Sequence, residues 1–261
     1  MRRILITLDS SGGSLDAVEG AALMAAQLDA ELVGLFVEDA NLVRLAALPC
    51  STEVGFASAR ARNLSRSTVE RTFQHLANDA RRAVISAAER AGVKWSFDIK
   101  RGSVVRESLH AIHQDKTRAR ATAAMASDPA GSVVLLQAKE CSAVKGKALI
   151  VLDGSHRALR ALPTALELAE QSCTVGQTLV IVTDSVIEAR AQIRRAKRLV
   201  ESDDGKARVH AISSARVTDM VALAKNEKCG TLIFSASAGL LTADQLAKLV
   251  EAVDYPVFVV A

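Results

Sequence analysis

Two short stretches carry the residue types that could do chemistry. One is Asp9-Ser10-Ser11-Gly12-Gly13-Ser14 and the other is Asp153-Gly154-Ser155. In each, an aspartate ends an apolar, β-prone run (Ile4 to Leu8, and Ala148 to Leu152), small polar residues follow, and a helical pattern begins. That order reads as a buried parallel strand, a loop of phosphate size and a helix whose N-terminus faces the loop. Ser10, Ser11, Gly12 and Gly13 suit an anion nest of backbone N–H groups at a helix start. Asp9 and Asp153 then stand at the carboxyl ends of first strands, where open α/β sheets bind ligands. The competing use of each carboxylate is to cap the helix that follows it.

Other chemistries find no support in residue spacing. His110 and His113 lie three apart on a helical stretch with no acidic or cysteine companion, so no metal site is expected. No serine sits in a Gly-x-Ser-x-Gly elbow, and no Ser/His/Asp or Cys/His set is suggested. Cys50, Cys141, Cys173 and Cys229 are far apart and form no Cys-x-x-Cys pair, which fits reduced thiols in a cytoplasm.

The elements that must position the two corners repeat along the chain. Residues 3–9 read as a strand, and Ser14, Ala17, Ala21, Ala25 and Leu28 recur at helical spacing. The run Leu32 to Val37 is a second strand, so the chain opens β-α-β. A short helix before Pro49 follows, and then a basic amphipathic helix over 65–91. That helix should bury Val69, Phe73, Leu76, Ala80, Ala83 and Ala87 and close at Gly92. A strand over 95–99, a turn at Arg101-Gly102-Ser103, a helix over 104–112 and a strand over 132–137 complete the first half. One of its two expected late strands is missing.

The second half repeats the plan in shorter form. Strands are expected at 148–152, 179–182, 208–212, 231–235 and 256–260, with helices between them. Pro163 should kink the first of these helices or delay its start. The pattern predicts an α/β protein of two tandem, doubly wound parallel sheets of Rossmann-like form, over residues 1–141 and 146–261, together forming a pseudo-dimer.

Both halves resemble the universal stress proteins. The family's strand followed by Asp-x-Ser-x-x-(Ser/Ala)-x-x-Ala is similar to Asp9 through Ala17 and to Asp153 through Ala161. Arg101-Gly102-Ser103 before a helix and Pro256-Val257-Phe258-Val259-Val260 resemble two later family segments. The resemblance implies a domain of the adenine nucleotide alpha hydrolase-like type. It implies a crevice bounded by Asp9, Ser10, Ser11, Val37 and Gly102 in the first half, and by Asp153, Ser155 and Gly239 in the second. Gly102 could equally be a plain turn.

Nucleotide-binding members carry Gly-x-x-Gly and a later Gly-(Ser/Thr). The stretch Ser235-Ala236-Ser237-Ala238-Gly239-Leu240-Leu241-Thr242 offers one glycine and no such partners. The expectation is a cytoplasmic stress-response protein that binds or regulates without catalysis and needs no cofactor. The alternative is an adenine-nucleotide (ATP) binder with a diverged loop, a slow hydrolase at most. Ser11-Gly12-Gly13 also resembles the Ser-Gly-Gly-x-Asp-Ser loop of ATP-pyrophosphatases, but the aspartate comes one residue late, at Asp16, and Ala17 replaces the serine.

Composition narrows the partners. Hydrophobic residues make up 49% and charged residues 24% of the 261, while aromatic residues reach only 3%. Cores must therefore be built from Ala, Val, Leu and Ile, and there is little material for stacking on bases. A formal charge of +4 is small for a dedicated nucleic-acid binder, and the arginine-rich helices read as solvated faces. No apolar stretch is long enough for a membrane span, and the run after Met1-Arg2-Arg3 stops too early for a signal peptide. The apolar C-terminal strand should pair within the pseudo-dimer or support self-association with another chain.

Overall fold

Buried strands with apolar side chains on both faces set the architecture. The computed structural model describes residues 2–9, 15–54, 61–111, 132–137, 146–153, 155–172, 176–182, 191, 194, 208–212, 216–235, 241–253 and 255–260. Strand β1 (Arg2–Leu8) sends Ile4, Ile6 and Leu8 into one core cluster and Leu5 into another on the opposite face. Helix α1 (Leu15–Gln27) buries Ala17, Val18, Ala21, Ala22 and Ala25, and these small residues let it lie close to the sheet. The chain turns through Asp29, at φ 47°, into β2 (Ala30–Asp39), which runs parallel to β1 from the Arg2–Ala30 pair to Leu8–Phe36.

The excursion that follows holds α2 (Ala40–Ala46) and a two-stranded antiparallel ladder of β3 (Thr52–Val54) with β4 (Ala61–Asn63). Helix α3 (Arg66–Ala91) starts on a Ser65 cap and ends at Gly92, at φ 67°. Its buried residues are Val69, Phe73, Ala77, Val84, Ala87 and Ala88. The inner face is thus turned from the one expected: Ala77, Val84 and Ala88 go inside, while Leu76 and Ala80 pack at its margin. Over seven turns, a stripe read at mixed three- and four-residue steps accumulates angular error. The arginines Arg66, Arg71, Arg81, Arg82 and Arg90 are exposed.

Strand β5 (Trp95–Gly102) pairs in parallel with β2 and runs three residues beyond the expected end. Gly34 is required at this junction. A Cβ there would lie 2.7 Å from the Phe97 ring and 2.9 Å from Val84, so only glycine lets β5 and α3 close on β2. A helix over 104–111 (α4) and β6 (Ser132–Gln137) follow.

In the second half β7 (Lys147–Leu152) leads to α5 (His156–Ser172), β8 (Gln177–Val182), β9 (Arg208–Ile212), α6 (Val217–Asn226), β10 (Cys229–Ser235), α7 (Ala243–Ala252) and β11 (Val257–Val260). Pro163 does not delay α5, which begins at His156 and continues through the proline. Helix α7 opens on a capping box: the Thr242 hydroxyl accepts from the Gln245 N–H, and the Gln245 amide oxygen accepts from the Thr242 N–H.

Nine of the described strands form one sheet in the order β5-β2-β1-β6-β11-β10-β7-β8-β9. Every neighbouring pair is parallel except β6 with β11. Helices α1, α3 and α5 cover one face, and residues of α4, α6 and α7 cover the other. Strand β6 bonds β1 on one side and β11 on the other, so the first block has one strand beyond β1 where the second has β10 and β11 beyond β7. Strand β11, all four residues buried, is hydrogen-bonded on both edges and closes its apolar edge within the chain.

Phe258 is fully buried in that seam strand. Phe258→Ala should cost about 3–5 kcal/mol of stability, read as a lowered midpoint in urea unfolding of the full chain.

Candidate functional site

Parallel register brings the carboxyl ends of β1, β2 and β5 to one edge. Asp9 follows β1, Glu38 and Asp39 end β2, and Arg101 and Gly102 end β5 opposite them. Strand β1 is flanked by β2, reached over the α1 face, and by β6, which the chain reaches after α4 on the other face. The strand order therefore reverses beside Asp9, as it must at the switch point of a doubly wound sheet.

Asp9 is half-buried at that point. Val37 is 1% exposed and its side chain belongs to the cluster with Leu5, Leu35 and Val105, so only its backbone can meet a ligand. Ser10 and Ser11 lie outside the described residues. The charged groups of this edge already have partners. Arg101 donates from Nε to Glu38 Oε2 at 2.8 Å, its Nη2 lies 2.7 Å from the same oxygen, and its Nη1 is 3.8 Å from Glu70 Oε1. Asp39 Oδ1 accepts from the Asn41 N–H at 2.8 Å and caps α2.

Gly102 has a particular neighbour. A Cβ at this position would lie 2.6 Å from Glu107 Oε1 and 3.0 Å from Glu107 Cγ. The space a glycine leaves for a ligand's approach is thus filled by the chain's own carboxylate, carried on the first turn of α4, where the Glu107 N–H bonds the Ser103 carbonyl at 2.9 Å. Nothing in the sequence marks Glu107 for this place, because the direction of α4 over the strand end decides it.

The corresponding edge of the second block is formed by β8, β7 and β10. Asp153 is half-buried, and its Oδ1 accepts from the Ser155 N–H at 2.9 Å. Ser155 Oγ in turn accepts from the Ala158 N–H at 3.1 Å, and its carbonyl takes the Leu159 N–H at 3.0 Å. The corner is therefore a relay: the aspartate holds the loop and the serine caps α5. Ser235 ends β10 one residue past the Phe234–Val151 pair, level with Leu152, and is buried. A polar residue closing the apolar run Leu232 to Phe234 is the signal that could have placed it at the edge. Gly239 lies outside the described residues.

Because β6 and β11 run antiparallel, the edge of Asp9 and the edge of Asp153 point to opposite ends of the sheet. The two corners are separate sites and cannot share one small ligand. Among the described residues no group of three or more His, Cys, Asp or Glu side chains could hold a metal ion, and no described helix is long and apolar enough to cross a membrane. Ser155→Ala should remove the α5 cap and cost about 1 kcal/mol, measured by chemical unfolding.

No protein-family model matches the sequence, and no curated protein matches it. Among solved structures, a universal stress protein from Archaeoglobus fulgidus is similar over 98% of this chain and 95% of its own, with a TM-score of 0.55 at 14% identity. A second universal stress protein from Archaeoglobus fulgidus is matched over 45% of this chain and 95% of its own, with a TM-score of 0.36 at 17% identity. A functionally unknown protein from Pseudomonas aeruginosa is matched over 99% and 92%, with a TM-score of 0.46 at 13% identity. At these identities the likeness is one of fold, and the first of them carries it. The chain has the α/β, Rossmann-like fold of a universal stress protein.

Proposed function

We propose that this protein is a universal-stress-type module of the cytoplasm that works by binding or regulation and performs no catalysis of its own. The observation that supports this most is the Glu107 carboxylate over Gly102. A nucleotide triphosphate carries several negative charges and needs backbone N–H groups and cations around it. In the first block the described groups are Asp9, Glu38 and Glu107, and the one arginine at the strand ends, Arg101, is held by Glu38. These residues do not fit a triphosphate, because phosphate oxygens would meet carboxylates in place of donors.

The second reading keeps adenine-nucleotide binding, with slow hydrolysis at most, and moves it to the second block. One observation favours it: Asp153 sits half-buried where β7 is flanked by β8 on one side and β10 on the other, with α5 and α6 on opposite faces. There ATP would lie against the Ser155 corner and the segment containing Gly239.

Thermal unfolding of the full chain with increasing ATP and Mg²⁺ separates the two. The module reading expects no change up to millimolar ATP. Stabilisation approaching about 2.7 kcal/mol at a hundredfold excess over Kd would overturn it and establish the nucleotide reading. Mass analysis of small molecules released from freshly purified, denatured protein gives the same decision without added ligand.

A further inference from the structure

The sheet has two ends, and the one at β5 has features of a self-complementary edge. Among the described residues, strand β5 pairs with β2 alone. Its sequence, Trp95-Ser96-Phe97-Asp98-Ile99-Lys100-Arg101-Gly102, alternates across the sheet. Trp95 and Phe97 pack against the core on the α3 face. Asp98 and Lys100 stand on the other face, opposite Leu35 and Val37 of β2. Both are exposed, and among the described residues neither has an ion-pair partner. Between them Ile99 is 53% exposed.

Charged residues on an edge strand ordinarily discourage pairing. Here their spacing has the opposite consequence. An aspartate and a lysine two residues apart lie directly opposite each other when the strand pairs with itself antiparallel about the residue between them. Such a two-fold pairing puts Ile99 against Ile99 of the second copy on one face. On the other face it makes two reciprocal Asp98–Lys100 pairs. It also supplies hydrogen-bond partners along the open edge of β5.

The surroundings agree with a covered edge. Leu45, Leu48 and Val54 are also exposed. They lie in the excursion whose helix α2 packs on both α3 and β5. The β3–β4 ladder is tied to that helix by the Ser51 hydroxyl, which donates to the Leu45 carbonyl at 2.6 Å. Among the described residues, four of the five exposed large hydrophobic side chains thus belong to β5 or to the excursion beside it.

We propose that the open edge of β5 binds the same edge of a second copy of this chain, as antiparallel strands about a two-fold axis at Ile99. The inference is separate from the nucleotide question, since it rests on Asp98, Ile99 and Lys100 and on neither aspartate corner. It joins two nine-stranded sheets at β5 and leaves the β6–β11 seam inside each chain.

Sedimentation velocity of the full chain over a dilution series tests it, using charge reversals that leave the buried residues alone. The wild type should sediment as a dimer that dissociates on dilution. Lys100→Asp and Asp98→Lys each turn two attractive pairs into two repulsive ones and should raise the dimer Kd about tenfold or more. The double variant should return it to near the wild-type value. A wild type that stays monomeric, singles that leave the Kd unchanged, or a double variant no better than the singles would each overturn the proposal. Hydrogen exchange on the wild type serves if a variant fails to fold. Amides of residues 96–102 should exchange more slowly as concentration rises, and exchange independent of concentration also overturns it.

Discussion

The antiparallel ladder between β6 and β11 is the interaction on which the rest depends. It is the one antiparallel junction in a sheet otherwise parallel, and it turns two α/β blocks into a single nine-stranded surface. Strand β11 is apolar on both faces: Phe258 and Val260 enter one core cluster, and Val257 and Val259 enter the other. Such a strand is stable only with both edges paired and both faces covered. The first block meets this need with β6, which is at once the neighbour of β1 and the boundary strand. A block that kept a further strand would place it between β6 and β11; here β6 occupies both roles.

The seam also fixes where chemistry can occur. Since the blocks meet antiparallel, each carboxyl edge shares its end of the sheet with the amino edge of the other block. The amino edge of the second block carries a part-buried ion pair, Lys147 Nζ to Glu227 Oε2 at 2.9 Å. The fully buried Thr178 hydroxyl lies 3.5 Å from that oxygen, and His210 Nε2 lies 3.8 Å from the other one. This group ties the starts of β7, β8 and β9 to the turn before β10. There Lys228 takes φ 53°, and Gly146 packs so closely that a Cβ would lie 2.6 Å from the Gly230 nitrogen. Its chemistry is structural: a mostly buried carboxylate needs a cation beside it to stay charged.

Much of the fold was legible because buried parallel strands write themselves as short continuous apolar runs. The stretches Ile4 to Leu8, Ala148 to Leu152, Thr231 to Ser235 and Val257 to Val260 all fall inside observed strands. The close of α3 at Gly92 was legible too, since it depends on local backbone geometry alone. Other features depend on what lies above or beside an element. The small β3–β4 ladder has no apolar signature, all six residues being exposed. The true inner face of α3 was set by the meeting of that helix with α1 and β2. At the site, Asp9 and Asp153 stand at strand ends as expected, whereas Gly102, expected in a turn, is the last residue of β5, and the position of Glu107 depends on how α4 crosses that strand end, which no residue spacing encodes.

The Asp-x-Ser corner of the second block has a structural use that needs no ligand. In the second block Asp153 bonds the Ser155 N–H, and Ser155 then caps a seventeen-residue helix. Both bonds are internal to the fold, so the pair contributes to stability whether or not anything enters the crevice. A glycine that only admits a ligand's phosphates has no such second use. At Gly102 the space beside the backbone holds the Glu107 carboxylate, which adds negative charge to this edge. The corner at Asp153 is therefore best understood as a joint, in which the aspartate and Ser155 make the turn into α5.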